Sequence, residues 1–427
     1  MITMILFFTS FFLSIAIGVP IFLCLGVGAL ILVWLATGQI PFEIIGQKML
    51  IGVDSFPLMA IPFFILAGEL MNTNSISGKL IEFVKAIIGR VRGGLAMVGV
   101  GTSIFFSGIS GSASADTAAV GSALIPAMKK DGYPTAFSAG MIAAAGSIGP
   151  IIPPSIPLII YGVIAEVSIE KLFVGGYVPG VMMGIFFFLY IYYVAKKNNF
   201  PVGAKISIQQ FFRIVGQALP TLLLPVIIMG GIVTGVFTAT EAAGVAAGYA
   251  FLLSVVIYRE VRWKDVLPLF GRAALTSSVI LVIISASSLL SWIMTREQIP
   301  QTISNYILSL STNPVIVLVL INIVLLVAGM FLDAVSVLMI LTPIFLPAIL
   351  ALGIDPVLFG VMIAVNLSIG VLTPPVGLNL FVASSIANID VLSVSKATIP
   401  FILCIIAVLV IMICFPISIT YLPSLLD

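Results

Sequence analysis

The chain is predicted to be an all-α membrane protein made of two inverted repeats, each with a re-entrant helical hairpin and a broken transmembrane helix. Three observations predict this. Of 427 residues, 61% are hydrophobic and 8% charged, with a mean hydropathy of +1.30, more apolar surface than a water-soluble fold can accommodate. Two segments, Ser147-Ile-Gly-Pro-Ile-Ile-Pro-Pro154 and Ser368-Ile-Gly-Val-Leu-Thr-Pro-Pro375, place Ser, Gly and tandem Pro inside long apolar stretches. Proline lacks a backbone donor and disfavours helix in the residue before it, so each segment breaks its helix in mid-membrane. Finally, at an offset of 221 (368 − 147) residues 108–162 align with 329–383 without a gap. Thirteen of the 55 pairs are identical, against roughly five by chance in so apolar a composition.

Basic residues collect on the cytoplasmic side and so orient each element. The stretch from Ile2 to Thr37, bent at Gly18-Val-Pro20, reads as two crossings. It lacks a basic n-region and a small-residue cleavage site, so it is expected to be retained, with the chain starting near Met1. Lys79, Lys85, Arg90 and Arg92 form one basic cluster and Lys129 with Lys130 the next. If both are cytoplasmic, the segment from Gly94 to Met128 enters and leaves on one side, a re-entrant hairpin tipped by Ser107-Gly-Ile-Ser-Gly-Ser-Ala-Ser-Ala-Asp116. Such irregular backbone is tolerated only where protein or water satisfies it.

The broken helix from Thr135 to Gly162 then crosses outward and Val174 to Ala195 returns. Gly216 to Gly235 and Thr240 to Tyr258 make an out-and-back pair, and Ala273 to Met294 leads outward. A second hairpin, Pro314 to Leu350, is flanked by almost no basic residues, as one opening to the outside should be, so the halves are inverted. Val357 to Asn388 crosses inward through the second break, and Thr398 to Leu422 ends outside. Two amphipathic stretches precede the hairpins, residues 78–88 and 300–310. They read as arms along the membrane surface or as plain loop helices.

Composition excludes several classes of function. No His is present, which removes His-based acid/base catalysis and His-held metal or haem. Cys24, Cys404 and Cys414 stand alone in apolar runs and read as buried small hydrophobes. The net charge of +2 gives no field for nucleic acid. No Walker loop and no nucleophile with a base occurs, so neither ATP-driven transport nor a membrane enzyme has support.

Paired interruptions in two halves point instead to the binding site of a secondary transporter. Asp116 and Asp333 each lie in a hairpin among small or apolar residues, where an unpaired charge costs at least ~2.5 kcal/mol. They bind a cation directly or anchor the tips; alternatively Asp116 caps a helix beginning at Thr117. Ser110, Ser112 and Ser114 at the first tip, and Ser336, Asn366, Ser368 and Thr373 around the second, offer oxygen ligands of the kind hard cations prefer. For any single Ser or Thr the competing role is an i−4 backbone bond. Broken helices also aim positive ends at anionic groups. Glu69 and Glu241 are read as lying at membrane ends, Arg296 as external, and Gly244-Val-Ala-Ala-Gly248 as a helix-packing spacing.

The chain resembles the large membrane subunit of tripartite ATP-independent periplasmic (TRAP) transporters, and in its overall look the members of the sialic acid type. The likeness rests on Gly108-Ile-Ser-Gly-Ser-Ala-Ser-Ala-Asp-Thr-Ala-Ala119, Gly149-Pro-Ile-Ile-Pro-Pro-Ser155, Gly329-Met-Phe-Leu-Asp333 and Leu372-Thr-Pro-Pro-Val-Gly377. It implies an elevator-type ion-transporter-superfamily fold with scaffold elements in residues 1–93 and 163–313, transport repeats in 94–162 and 314–388, and a terminal helix in 389–427. It further implies Na⁺ coupling, a separate small membrane subunit, a periplasmic substrate-binding protein, a place in the bacterial inner membrane, and an organic acid as cargo. Sialic acid is the first candidate and a C4-dicarboxylate the next.

By position, the resemblance carries Ser110, Ser112, Asp116, Asp333 and the two Pro-Pro breaks into the family's Na⁺ and substrate neighbourhood; with their neighbours, substrate is expected near Ser110, Gly111, Ser112, Pro153, Pro154, Ser155, Pro374 and Pro375. Together with the oxygen donors of the tips and breaks, Na⁺ is expected near Ser112, Ser114, Asp116, Ser147, Gly149, Gly329, Asp333, Ser336, Asn366, Ser368 and Thr373, and external Arg296 is expected to attract an anion, dock a partner or anchor at the interface. A stand-alone proton- or Na⁺-coupled carrier, and a channel or membrane scaffold, are the rival expectations.

Overall fold

The computed structural model describes residues 9–11, 13–15, 17–72, 74–203 and 206–426. Among these all regular structure is helical apart from one isolated antiparallel bridge, Arg92 to Val202. Seven helices are long and apolar enough to cross a membrane, or eight if the bent pair Phe42–Val53 and Phe56–Met71 is one span. This is a multi-pass membrane protein. The start of the first expected crossing lies outside the described residues; its partner is the helix Ile21–Thr37, entered through Gly18 at φ 83°.

The bent pair is absent from the sequence reading. Glu43, Lys48 and Asp54 interrupt its hydropathy, and Pro57, which lacks an N–H, turns the chain by 64°. At the repeat offset it aligns with the first 30 residues of the continuous helix Trp263–Arg296 (42 + 221 = 263; 71 + 221 = 292). The two lie antiparallel. Ser285 donates to the Met49 carbonyl at 2.9 Å near one end, and Arg272 meets Glu69 at 3.3 Å near the other. Opposed directions for equivalent elements are what inversion requires.

Each hairpin is two helices joined by a two-residue tip. Gly94–Ser110 and Ala113–Lys130 meet at Gly111 and Ser112, and Pro314–Phe331 and Ala334–Ala351 meet at Leu332 and Asp333. Gly111 is left-handed at φ 60°, a conformation that glycine adopts without steric cost. The broken helices are Thr135–Gly146 with Ile156–Ala165 and Pro356–Gly370 with Leu378–Ala387. Both Pro-Pro bonds, Pro153–Pro154 and Pro374–Pro375, are cis. The arms are Asn74–Ile88 and Ile299–Leu310.

The halves interlock. Ala113–Lys130 of hairpin 1 packs on Thr135–Gly146 of its own repeat and on Leu378–Ala387 of the other; Ala334–Ala351 of hairpin 2 packs on Pro356–Gly370 and on Ile156–Ala165. Two hydrogen bonds tie the broken helices together. The Tyr161 hydroxyl donates to the Pro356 carbonyl at 2.6 Å, and the Asn379 amide donates to the Ala143 carbonyl at 3.0 Å. Tyr161→Phe, at this buried site, is therefore expected to cost about 0.5–1.5 kcal/mol, read as a lower thermal midpoint with unchanged helical circular dichroism.

Around this hairpin core lie Ile169–Lys197 and Val391–Cys414, joined to it by Phe401, whose ring sits 6.3 Å from Phe137, 5.3 Å from Phe187 and 5.0 Å from Tyr190. The sequence division at residue 163 grouped Ile169–Lys197 with the scaffold. It packs against the first hairpin, both broken helices, Val391–Cys414, Ile417–Ser424 and Ile208–Val233. The remaining spans, residues 21–71 and 208–296, form an outer set of helices. They meet the tip of hairpin 1 at Gly68, where an added Cβ would be 3.4 Å from the Ser110 Cα, and at Pro225, 3.3 Å from where a Cβ on Gly108 would stand. The expectation that Gly244 and Gly248 serve close packing fails within this chain, since a Cβ at either would meet nothing within 4 Å.

Candidate ion and substrate site at the hairpin tips

Asp116 is fully buried in the first turn of Ala113–Lys130. It does not cap a helix at Thr117. Left-handed Gly111 closes one helix and extended Ser112 opens the next, so the cap position falls on Ser112. The Asp116 carboxylate instead accepts from the hydroxyls of Ser107, at 2.8 Å, and Ser110. Ser107 also lies 2.6 Å from the Ser103 carbonyl.

The first break is pressed onto this tip. A Cβ on Gly149 would stand 2.7 Å from an Asp116 carboxylate oxygen and 3.0 Å from the Ser112 carbonyl carbon, and Gly111 abuts the Pro154 carbonyl. Pro153, Pro154 and Ser155 are buried. Ser155 caps Ile156–Ala165, accepting from the Leu158 N–H at 3.3 Å and donating to the Pro150 carbonyl. The Ser112 and Ser114 hydroxyls are 3.4 Å apart and half-buried. Ser147 turns its hydroxyl back to the Ala144 carbonyl at 2.7 Å, a local bond that satisfies its proton.

At the second tip Asp333 is half-buried and caps Ala334–Ala351. It accepts from the Val335 and Ser336 N–H groups at 3.0 and 3.3 Å and from the Ser336 hydroxyl at 2.6 Å. The repeat offset pairs Asp333 with Ser112 (112 + 221 = 333), so the two aspartates are not symmetry mates. Gly329 and Gly370 meet backbone to backbone, since a Cβ on Gly370 would stand 2.7 Å from the Gly329 carbonyl carbon. The Val376 N–H also donates to the Met330 carbonyl at 3.3 Å. Ser368 and Thr373 donate back to Ala364 and Ile369 at 3.1 and 2.7 Å. Unlike the first break, Pro374 and Pro375 are exposed.

Three asparagines on the broken helices and hairpin 2 complete the set. The Asn366 amide donates to the backbone and side-chain oxygens of Asn322, both at 2.9 Å, leaving its own buried oxygen without a partner. The buried Asn379 oxygen is also without a partner. Asn322, Asn379 and Ser107 were missed from sequence. A lone Asn inside a run such as Val-Leu-Ile-Asn-Ile-Val is expensive in a membrane, and that cost was the available signal.

Ser110, Gly111, Ser112, Ser114, Asp116, Gly149, Pro153, Pro154 and Ser155 thus form one knot. Gly329, Asp333, Ser336 and the second break form its counterpart. Arg296 stands apart from both, 5.8 Å from the Trp292 ring. Among the described residues no three His, Cys, Asp or Glu side chains cluster. The donors at the tips are hydroxyls, carbonyls, single carboxylates and the two unpartnered amide oxygens. That hard-oxygen set fits Na⁺, which neutral oxygens with few charges can hold.

Residues 8–417 match the profile of the family described as Tripartite ATP-independent periplasmic transporter, DctM component. The chain is 42% identical over 419 residues to the isethionate TRAP transporter permease protein DctMQ of Oleidesulfovibrio alaskensis, covering 98% of this chain but 65% of that protein. It is 39% identical over 379 residues to the sialic acid TRAP transporter large permease protein SiaM of Vibrio cholerae, covering 89% of each. The crystal structure of the Alcanivorax borkumensis YdaH transporter, described as having an unusual topology, shares the fold with a TM-score of 0.62 over 87% of both chains at 14% identity. With the profile spanning nearly its whole length, the chain belongs to the tripartite ATP-independent periplasmic transporter family, as its DctM component.

Proposed function

We propose that the protein carries out Na⁺-coupled import of an organic acid across the bacterial inner membrane by an elevator mechanism. It works with a separate small membrane subunit and receives its cargo from a periplasmic binding protein. The observation that supports this best is the paired contact of each hairpin tip with a broken helix, Gly149 on Asp116 and Gly370 on Gly329. Both place helix ends, unpaired carbonyls and hydroxyls together inside an apolar protein.

In this reading Ser112, Ser114 and Asp116, with carbonyls of Ser147 and Gly149, hold one Na⁺. Gly329, Asp333, Ser336, Asn366, Ser368 and Thr373 surround a second. The acid group of the cargo faces the N-terminal ends of Ala113–Lys130 and Ile156–Ala165, beside Ser110, Gly111, Ser112, Pro153, Pro154 and Ser155, with Pro374 and Pro375 opposite. The hairpin core, including Ile169–Lys197 and Val391–Cys414, moves as one body against the outer helices. The relatives named for isethionate and sialic acid carry different cargo with one feature in common, an acid group. Sialic acid is the first candidate and a C4-dicarboxylate the next.

Moving one charge across 100 mV is worth about 2.3 kcal/mol, so two Na⁺ with a monoanion let the membrane potential add to the Na⁺ gradient. Uptake of labelled N-acetylneuraminate and succinate by liposomes holding this chain, its small subunit and the cognate binding protein is expected to require an inward Na⁺ gradient. Uptake unchanged without Na⁺ refutes the coupling. Uptake without the binding protein supports a stand-alone carrier, and single-channel currents support a pore.

A further inference from the structure

A cavity of about 330 Å³ opens between the outer helices and the hairpin core. One wall is scaffold-like: Lys48 and Ser55 from the bent pair, Ser291 and Trp292 from Trp263–Arg296. The other is apolar and belongs to the hairpin core, with Val163 from the first broken helix and Met339 from hairpin 2. No acidic side chain lines it. Lys48 has its ammonium 5.9 Å from the Trp292 ring, and the guanidinium of exposed Arg296 lies 5.8 Å from the same ring. Neither cation is ion-paired among the described residues.

The hydroxyls of Ser55 and Ser291, both half-buried, make no hydrogen bond among the described residues, whereas Ser288 beside them spends its proton on the Ile284 carbonyl at 2.9 Å. Three unused donors therefore face one apolar-walled space, with a second cation at its rim. Positive charge of one sign in a low-dielectric cleft concentrates anions there. The rim is on the outer side, because the far end of Trp263–Arg296 adjoins the cytoplasmic cluster Arg259, Arg262 and Lys264.

We propose that this cavity is an external reception site for the acid group of the cargo. Lys48, Ser55 and Ser291 bind the carboxylate or sulfonate, and Arg296 with Trp292 forms the rim that draws it in before it reaches the hairpin tips. The inference rests on the reading that the cargo is an organic acid. It does not depend on Na⁺ coupling, and it assigns to Arg296 a role toward substrate rather than toward a docked protein.

The test uses the full chain with Trp34→Phe and Trp263→Phe, which leaves Trp292 as the sole tryptophan. Its fluorescence is followed in Na⁺-free choline buffer while succinate, isethionate or N-acetylneuraminate is added, with uncharged erythritol as control. The expected result is a saturable change with at least one acid and none with erythritol. The apparent Kd should rise about tenfold or more in Lys48→Gln and several-fold in Ser55→Ala, and should weaken with added choline chloride. No saturable response to any of the acids in a protein of unchanged thermal midpoint overturns the proposal, as does a response indifferent to Lys48→Gln. An Arg296→Glu change that alters only the requirement for binding protein in uptake, leaving the acid titration untouched, assigns Arg296 to partner docking and removes it from the site. Titration that fails while uptake stays Na⁺-driven refutes the reception site alone; titration that succeeds while uptake is Na⁺-independent refutes the coupling alone.

Discussion

Asp116→Asn is expected to lower Na⁺-driven uptake about 10- to 100-fold while the protein stays folded. The buried carboxylate accepts from Ser107 and Ser110 and touches Gly149 of the first break. Asn keeps the shape and one acceptor oxygen, so much of the tip's bracing survives. What goes is the negative charge, and interactions of a charged group of this kind are worth about 1.5–3 kcal/mol, with each 1.36 kcal/mol a factor of ten in rate. Asp116→Ala goes further, leaving the buried Ser110 hydroxyl without its acceptor at about 1–3 kcal/mol, while Ser107 keeps the Ser103 carbonyl. Its thermal midpoint should therefore fall, while that of Asp116→Asn should move little. Uptake by Asp116→Asn within twofold of the parent, at the same Na⁺ dependence, would confine Asp116 to bracing the tip.

Gly370→Ala should be as damaging by another route. The new Cβ would stand 2.7 Å from the Gly329 carbonyl carbon and 2.9 Å from its Cα. These are backbone atoms held in two helices, so no flexible side chain can swing aside. Overpacking of this kind costs about 1–3 kcal/mol, and the relief available is to separate hairpin 2 from the second break, which removes the second tip's geometry. Uptake should be lost and the thermal midpoint lowered. Gly244→Ala is the matched control, because its Cβ meets open space and the helix gains up to about 1 kcal/mol from the better helix former. Equal behaviour of the two variants in thermal melts would show that the Gly329–Gly370 contact is looser than described.

The parts legible in the sequence were those written in the backbone. Tandem prolines gave the breaks at Pro153–Pro154 and Pro374–Pro375, the basic clusters marked both hairpins, and amphipathic spacing marked both arms. The bent span Phe42–Met71 was not legible, because four charges, Glu43, Lys48, Asp54 and Glu69, dilute its hydropathy and a proline divides it into pieces shorter than a crossing. Within the site, residue type alone marked Asp116 and Asp333 but not their difference. A one-turn change of position makes one a buried acceptor of two hydroxyls and the other a helix cap. Nor could spacing show that Ser147, Ser368 and Thr373 turn their hydroxyls to their own helices, since that depends on rotamer and not on neighbourhood.

Gly68 against the Ser110 backbone and Gly108 against the Pro225 ring let the first tip come close to the outer helices at two points. A glycine on one side of each contact offers no side chain of its own to catch when one part moves past the other. In the elevator proposed above, a bulky residue at Gly68 would set a side chain against the Ser110 backbone and obstruct the passage of the first tip along these helices.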